Sequence, residues 1–359
     1  MESLMAEMMK QQALKLMHLS GAFDLMRWIN RRHAVLLTYH RFSETGDSIA
    51  LRAGAFAAHI EYLVEHYRLV PLSELVPRLA SGGQASERLA AITIDDGYAD
   101  AHQIALPLLK KHGVPATLFV VTGFVDRGCW IWTDKMRYLL ARTRVESFSI
   151  GEVKGGKRFF PGDEGSRASA AEAVNSWLKL LGDESREREI GRLADELGVD
   201  LPAEPPPGYE AITWDQARDL EAAGIEIGSH TVSHPILTSC DPRRVAVEVR
   251  ESRRRLEEEL GHQVDLFCYP NGNYSELVCR EVERAGYGIA VTTDDGLVSL
   301  GDDPLRLKRV HTQEDLAHFA QSASGFELLK DKIRMRGRKP EIFNPLITPN
   351  RPHHDLPDL

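Results

Sequence analysis

The stretch "LAAITIDDGYADA" (Leu89–Ala101) runs an apolar and β-branched segment straight into two adjacent carboxylates and a glycine. A short run of that composition bounded by turn residues reads as a buried strand. Taken alone, Asp-Asp-Gly is a solvated turn, because Asp and Gly both favour turn geometry. Like charges side by side repel, however, so Asp95 and Asp96 at the end of a buried strand call for a nearby cation. The carboxyl ends of strands in parallel α/β sheets are where such folds place their functional groups. The meaning of the pair therefore depends on whether the rest of the chain builds a parallel sheet.

Short apolar runs do alternate with helical patterns along the chain. The predicted strands are "AVLLTYH" (34–40), "YRLVPL" (67–72), "LAAITI" (89–94), "ATLFVV" (116–121), "IEIGSH" (225–230), "VDLFCYP" (264–270), "GIAVTT" (288–293) and "LRLKRV" (305–310). Predicted helices lie between them at 53–67, 99–113, 214–224 and 242–261. This alternation implies a mostly parallel sheet, open or closed into a barrel. About 85 residues separate "ATLFVVTGF" from "ITWDQ", far more than a βα connection uses. With Trp130 and Trp132, a polar patch at 150–168, helical patterns near 170–197 and the linker "PAEPPPG" (202–208), this stretch (about 126–210) reads as a helical insertion over the barrel.

Both ends lie outside this alternation. Residues 1–32 read as an N-terminal helical extension, with Leu4, Met5, Met8, Met9, Leu16 and Met17 on one face of an amphipathic stretch. Such a face belongs to a core, with peripheral membrane contact as the alternative. Residues 335–359, rich in proline and charge, read as a loosely ordered tail in which His353 and His354 are ordinary tail residues.

The 359 residues accommodate one large α/β domain with insertions, or two domains. Hydrophobic residues make up 43% and charged residues 27%, the balance of a globular protein. A net charge of -9 argues against nucleic acid as the main partner, since phosphate binding needs a basic surface. The cysteines Cys129, Cys240, Cys268 and Cys279 have no metal-ligand spacing, and the N-terminus lacks a signal-peptide pattern. No run of about 18 uncharged apolar residues occurs, so no transmembrane segment is expected. A cytoplasmic protein is the expectation.

A second strand-to-polar transition occurs in "IEIGSHTVSHPIL" (225–237), where His230 and His234 are four apart. On one helical turn that spacing aims both imidazoles the same way. Two histidines and one carboxylate form a three-ligand metal site with positions left for water or substrate. Asp96 is then the third ligand, and Asp95 is free to act as general base. The donor set suits Zn, with Co, Ni or Fe also able to occupy it. A metal that polarises a carbonyl and activates water, beside a base, describes amide or ester hydrolysis. In "LFCYPNGNYSE" (266–276) a strand ends in a loop suited to presenting backbone N–H groups to an oxyanion, although alone it reads as a turn.

"TIDDG" and "SHTVSHP" resemble the first two motifs of the polysaccharide deacetylase family (carbohydrate esterase family 4, the NodB homology domain), and "YPNGNY" is similar to its third. The resemblance covers about residues 33–125 and 211–312. It implies a distorted (β/α)7 barrel, here spanning about 33–334, that removes acetyl groups from N-acetylated sugars using one divalent metal. By position it makes Asp95 the base and Asp96, His230 and His234 the metal ligands, and it places the backbone oxyanion donor at Asn271. Cys268 stands where the family has an arginine that orients the base, and Asn271 where it has an aromatic residue. The family's late Leu-x-His motif, source of the general acid, has no clear counterpart. "AVLLTYHRF" (34–42) instead resembles the arrangement of a circularly permuted branch, which makes His40 the candidate acid and His311 its competitor. Arg309 is the candidate cation beside Asp95. The absence of an export signal disfavours mature cell-wall polymer and leaves lipid-linked or nucleotide-linked precursors, or oligosaccharides. The alternatives are a cyclic amide hydrolase on the same fold and a catalytically impaired carbohydrate-binding protein.

Overall fold

The computed structural model describes residues 12, 14, 16–17, 20–46, 49–81, 87–151 and 157–326. The strands in chain order are β1 (Val35–Tyr39), β2 (Arg41–Ser43), β3 (Ala50–Arg52), β4 (Arg68–Leu69), β5 (Leu89–Ile94), β6 (Ala116–Val120), β7 (Phe148–Ile150), β8 (Lys157–Phe159), β9 (Ile225–Ser229), β10 (Leu266–Cys268), β11 (Ile289–Asp295) and β12 (Leu307–His311). Seven of them form a ring in the order β1-β12-β11-β10-β9-β6-β5, and β5 pairs back onto β1. Every pairing in the ring is parallel. The fold is a closed (β/α)7 barrel, distorted by a register shift between β11 and β12.

Burial on both faces explains why these strands read as unbroken apolar runs. Alternate residues diverge: Leu36, Ala91, Phe119, Leu266, Val291 and Leu307 share one buried cluster. Their strand neighbours Leu37, Ile92, Leu118 and Phe267 belong to another, which includes residues of the surrounding helices. Gly228 on β9 has no alternative, because a Cβ there would lie 2.6 Å from the Phe119 ring.

Around the barrel lie helices at Ala53–His66, Leu106–His112, Trp214–Ala222, Pro242–Leu260, Glu276–Ala285 and Leu316–Ala323. The Thr213, Asp241, Ser275 and Asp315 side chains cap four of them by accepting from first-turn N–H groups. Two elements differ from the sequence expectation. The strand predicted at 67–72 shrinks to β4, because Pro71 lacks an N–H and leads into the helix Leu72–Ala80. The helix predicted at 99–113 opens with a π-helical turn, Ala101–Ala105.

Within 126–210, the described residues form three helices, Trp132–Arg142, Glu164–Leu178 and Asp183–Leu197, and the antiparallel pair β7–β8. They share a core separate from that of the barrel, built on Met136, Leu139, Val174 and Leu193. The sequence patterns near 170–197 contain only two of these helices. The β7–β8 pair escapes because three-residue strands carry almost no periodicity.

At the amino end, the helix Ala22–Ile29 is described, with Leu14 buried and Met17 partly buried. Leu16, expected on the same core-facing stripe, is 67% exposed. Leu4, Met5, Met8, Met9 and the stretch 335–359 with His353 and His354 lie outside the described residues. Among the described residues no helix is long and apolar enough to cross a membrane.

Candidate active site

The site is built where the strands end. The Asp95 N–H donates to the Tyr39 carbonyl at 2.9 Å, so β1 fixes the end of β5. Asp96 then takes a left-handed conformation, φ 78°, and so does Gly97. That reversal turns the two neighbouring carboxylates toward different partners.

Asp95 is gripped by Arg309 of β12. The guanidinium nitrogens Nη1 and Nη2 donate to Oδ1 and Oδ2 at 2.8 Å each. Arg309 is fully buried, and it also donates to the Thr292 carbonyl and the Thr93 hydroxyl at 2.7 and 3.0 Å. Burial alone would raise the pKa of Asp95, but the Arg309 guanidinium holds it below the usual carboxylate range. Cys268 stands alongside, with Sγ 3.5 Å from Asp95 Oδ2 and 3.4 Å from Arg309 Nη2. Burial raises the thiol pKa, so sulfur is an uncharged donor there. The cation beside Asp95 thus comes from β12, while β10 supplies a thiol.

Asp96 lies between His230 and His234, with Oδ1 3.4 Å from each Nε2. The two rings meet edge to face at 4.8 Å. They do not share a helical turn, because residues 230–236 form an irregular loop. The imidazoles converge instead because Thr231 (φ 70°) and His234 (φ 57°) are both left-handed. Thr231 is β-branched and strained in that region, a cost found where function needs it. Pro235 restricts His234 away from the right-handed helical region, so the local sequence opposes a helix here.

The donor set suits a divalent metal. His230 Nδ1 donates to the Cys268 carbonyl at 2.7 Å, which orients the ring and turns Nε2 to the Asp96 side. Burial lowers the His234 pKa to about 4, so its ring is neutral, as a ligand must be. Burial raises the Asp96 pKa, but the two imidazoles beside it hold the carboxyl well below the usual range. One ligand atom from each of Asp96, His230 and His234 lies within 4.8 Å of the others.

The two histidines proposed as acid separate clearly. His40, just past β1, has Nε2 3.7 Å from Asp95 Oδ2, and its side chain is 48% exposed. His311, at the end of β12, has Nε2 3.1 Å from the Thr293 carbonyl. Both line a cavity of about 290 Å³ that also includes Thr38, Arg41, Thr312 and Glu314. Asn271 follows Pro270 in a single 3-10 turn after β10, with left-handed angles φ 55° and ψ 9°.

Two further groups had no signal in the sequence. Glu248, buried on the helix Pro242–Leu260, accepts from the Val232 and Ser233 N–H groups at 2.8 and 2.9 Å and from the Ser233 hydroxyl at 2.6 Å. It holds the loop between the two histidines, but its sequence context is an unremarkable charged helix. Arg41, next to His40, pairs with Asp100 at 3.0 Å and donates to the Gly208 carbonyl at 2.9 Å. Tyr98 donates to buried Asp134 at 2.6 Å, so the segment between β6 and β9 is tied to the edge of the site.

The class so defined is an α/β barrel with buried carboxylate and histidine groups gathered at its strand ends, and comparison with known proteins narrows it. Residues 82–290 match the polysaccharide deacetylase family, and the chain belongs to that family. It is 23% identical over 304 residues to YxkH of Bacillus subtilis (strain 168), a protein assigned to the polysaccharide deacetylases, covering 84% of this chain and 80% of that one. Among solved structures, the Streptococcus pyogenes deacetylase PplD in complex with acetate shares the fold, with TM-score 0.54, 18% identity, and coverage of 83% of this chain and 97% of that one. IcaB from Ammonifex degensii does likewise, with TM-score 0.53, 20% identity, and coverage of 80% and 97%. The chain is thus a deacetylase-type hydrolase acting on linear amide C–N bonds.

Proposed function

We propose that the protein removes acetyl groups from an N-acetylated amino sugar, with one divalent metal ion held by Asp96, His230 and His234. The observation that carries this is the convergence of two buried imidazoles and a carboxylate beside a second carboxylate that has its own counter-charge. A divalent cation bound there would polarise the acetyl carbonyl and make a water molecule more acidic. Zn suits the two imidazoles and one carboxylate, and Co, Ni or Fe would also fit.

The protein's own groups do the rest. Asp95 accepts the proton of the attacking water, and Arg309 keeps it ionised and aimed. The backbone N–H at Asn271 donates to the oxyanion as the carbonyl carbon becomes tetrahedral. His40 delivers a proton to the leaving amine nitrogen as the C–N bond breaks, because a neutral amine leaves far more readily than an amide anion. Its half-exposed ring lines the cavity of about 290 Å³, which has room for a sugar ring.

The test is acetate release across acetylated sugar nucleotides, lipid-linked sugars and oligosaccharides, paired with metal analysis of the purified protein. Release that requires a stoichiometric divalent ion supports the proposal. Ring opening of cyclic amides without any acetate release would overturn it.

A further inference from the structure

The helix Ala22–Ile29 leads into the start of β1, the end of that strand opposite the site. Its inner face buries Phe23, Met26 and Arg27, with Phe23 packed edge-on against Phe326 at 6.1 Å. Asn30 anchors its carboxyl end by donating to the Ser324 carbonyl at 2.9 Å. The outer face is apolar as well: Leu25, Trp28 and Ile29 are 57%, 56% and 51% exposed. Their spacing of i, i+3 and i+4 makes them one continuous ridge. Three large side chains are left in water on a short helix, which is unusual without a partner.

The surroundings of the ridge indicate what that partner is. Arg31 lays its guanidinium over the Trp28 ring at 4.5 Å, and Arg32 is exposed beside it. Arg27, Arg31, Arg88 and His33 line one shallow notch next to the ridge. Arg27 is neutralised by Asp24, but among the described residues no carboxylate pairs with Arg31, Arg32 or Arg88. The acids nearby have partners of their own: Glu65 lies 4.0 Å from His66, Glu87 pairs with Arg68, and Asp302 accepts from the Ser299 N–H at 2.8 Å. This concentration of basic groups belongs to a chain whose net charge is -9. An apolar ridge containing Trp, rimmed by arginines, matches the boundary between lipid headgroups and acyl chains.

We propose that this end of the barrel docks on an anionic lipid bilayer. Leu25, Trp28 and Ile29 enter the headgroup boundary, and Arg31, Arg32 and Arg88 face the lipid phosphates. β5 has six residues, so Asp95 sits roughly 20 Å from the docked end and faces away from the lipid. The acetylated sugar it reaches is accordingly one held well above the bilayer surface.

The test is co-sedimentation of the full chain with vesicles of phosphatidylcholine plus phosphatidylglycerol, against phosphatidylcholine alone. Binding is expected only with the anionic lipid, and it should weaken with salt as charges are screened. The triple variant R31Q/R32Q/R88Q should lower partitioning about a hundred-fold, by the usual contribution of basic residues near such surfaces. L25E/W28E should abolish it, and the blue shift of Trp emission on binding should disappear in W28F. Both multiple variants should keep wild-type acetate release from a soluble substrate. The vesicle readout does not use turnover, so its failure is distinguishable from failure of the deacetylase proposal. If L25E/W28E misfolds, the surface arginine variant carries the test. No binding to anionic vesicles at low salt, or binding that survives both sets of substitutions, would overturn the proposal. So would a dimer in light scattering that L25E/W28E dissociates, or binding lost only on deletion of residues 1–19.

Discussion

Asp95 faces a guanidinium and a thiol, whereas Asp96, one residue later, faces two imidazoles. The side chains differ by nothing except position, yet one is held in a buried bidentate ion pair and the other points at two imidazole nitrogens. Backbone geometry makes the difference, since the left-handed turn at Asp96 sends the second carboxylate away from the first. Adjacent like charges are tolerable because each has its own positive or hydrogen-bonding environment. Identical residues can thus hold different roles when the strand end that carries them bends sharply.

The strongest way to break this comparison is to remove the imidazoles. His230→Ala or His234→Ala should eliminate both bound metal and activity, because each supplies one of three protein ligands. Stoichiometric metal in either purified variant, measured by elemental analysis, would contradict the assignment of Asp96 to the metal side.

Exchanging charge for amide at each carboxylate sharpens the contrast. Asp95→Asn should retain metal but lose about 10²–10⁴-fold in kcat, the usual worth of a general base. Asp96→Asn should instead lose metal affinity, with activity partly recovered at high metal concentration. Matching behaviour of the two variants would show that the carboxylates are not divided in role.

Arg309→Met tests the ion pair from its other side. Breaking a buried pair costs about 3–5 kcal/mol, so thermal or denaturant unfolding should report a large loss of stability. His40→Ala tests the proton delivered to the leaving group. It should bind metal normally and lose up to about 10⁴-fold on amides, but much less on an activated aryl ester whose leaving group needs little protonation. His311→Ala should be milder on both substrates, and the reverse ranking would move the acid role to His311.

The smallest effect is expected at Glu248. Replacing it with Gln keeps the shape but weakens its grip on Val232 and Ser233. Metal affinity should fall about 10–100-fold, as for other groups that orient ligands, with turnover near normal once metal is saturating.

Much of this was legible in the sequence, for a definite reason. A buried parallel strand is an unbroken apolar run, so its end is marked wherever polar groups begin, as at Asp95 and His230. The strand β1 was legible too, since "AVLLTYH" is an apolar run before the first motif, but its place in the ring was not. Less legible was anything that depends on contacts across the barrel. Arg309 could be named only as a candidate, because "LRLKRV" does not say which residue across the ring its arginine meets. Glu248 is one acid among many on "PRRVAVEVRESRRRLEEELG", and only folding places it under the histidine loop. The convergence of His230 and His234 looks helical by spacing, but the backbone achieves it through left-handed residues that spacing does not encode.

Closure of the ring through β1 has a consequence for how the protein is made. Strand β1 leaves the ribosome early, but its partner β12 follows some 270 residues later, as in the pairing of Thr38 with His311. Pairing between such distant segments is intrinsically slow, because a long stretch of chain must be ordered before the contact forms. Until β12 arrives, Asp95 is without Arg309 and the barrel has an open seam between β1 and β11. Strand β12 therefore seals the wall and brings Asp95 its counter-charge in the same step. A nascent chain stalled before β12 would expose strand edges able to pair with other chains.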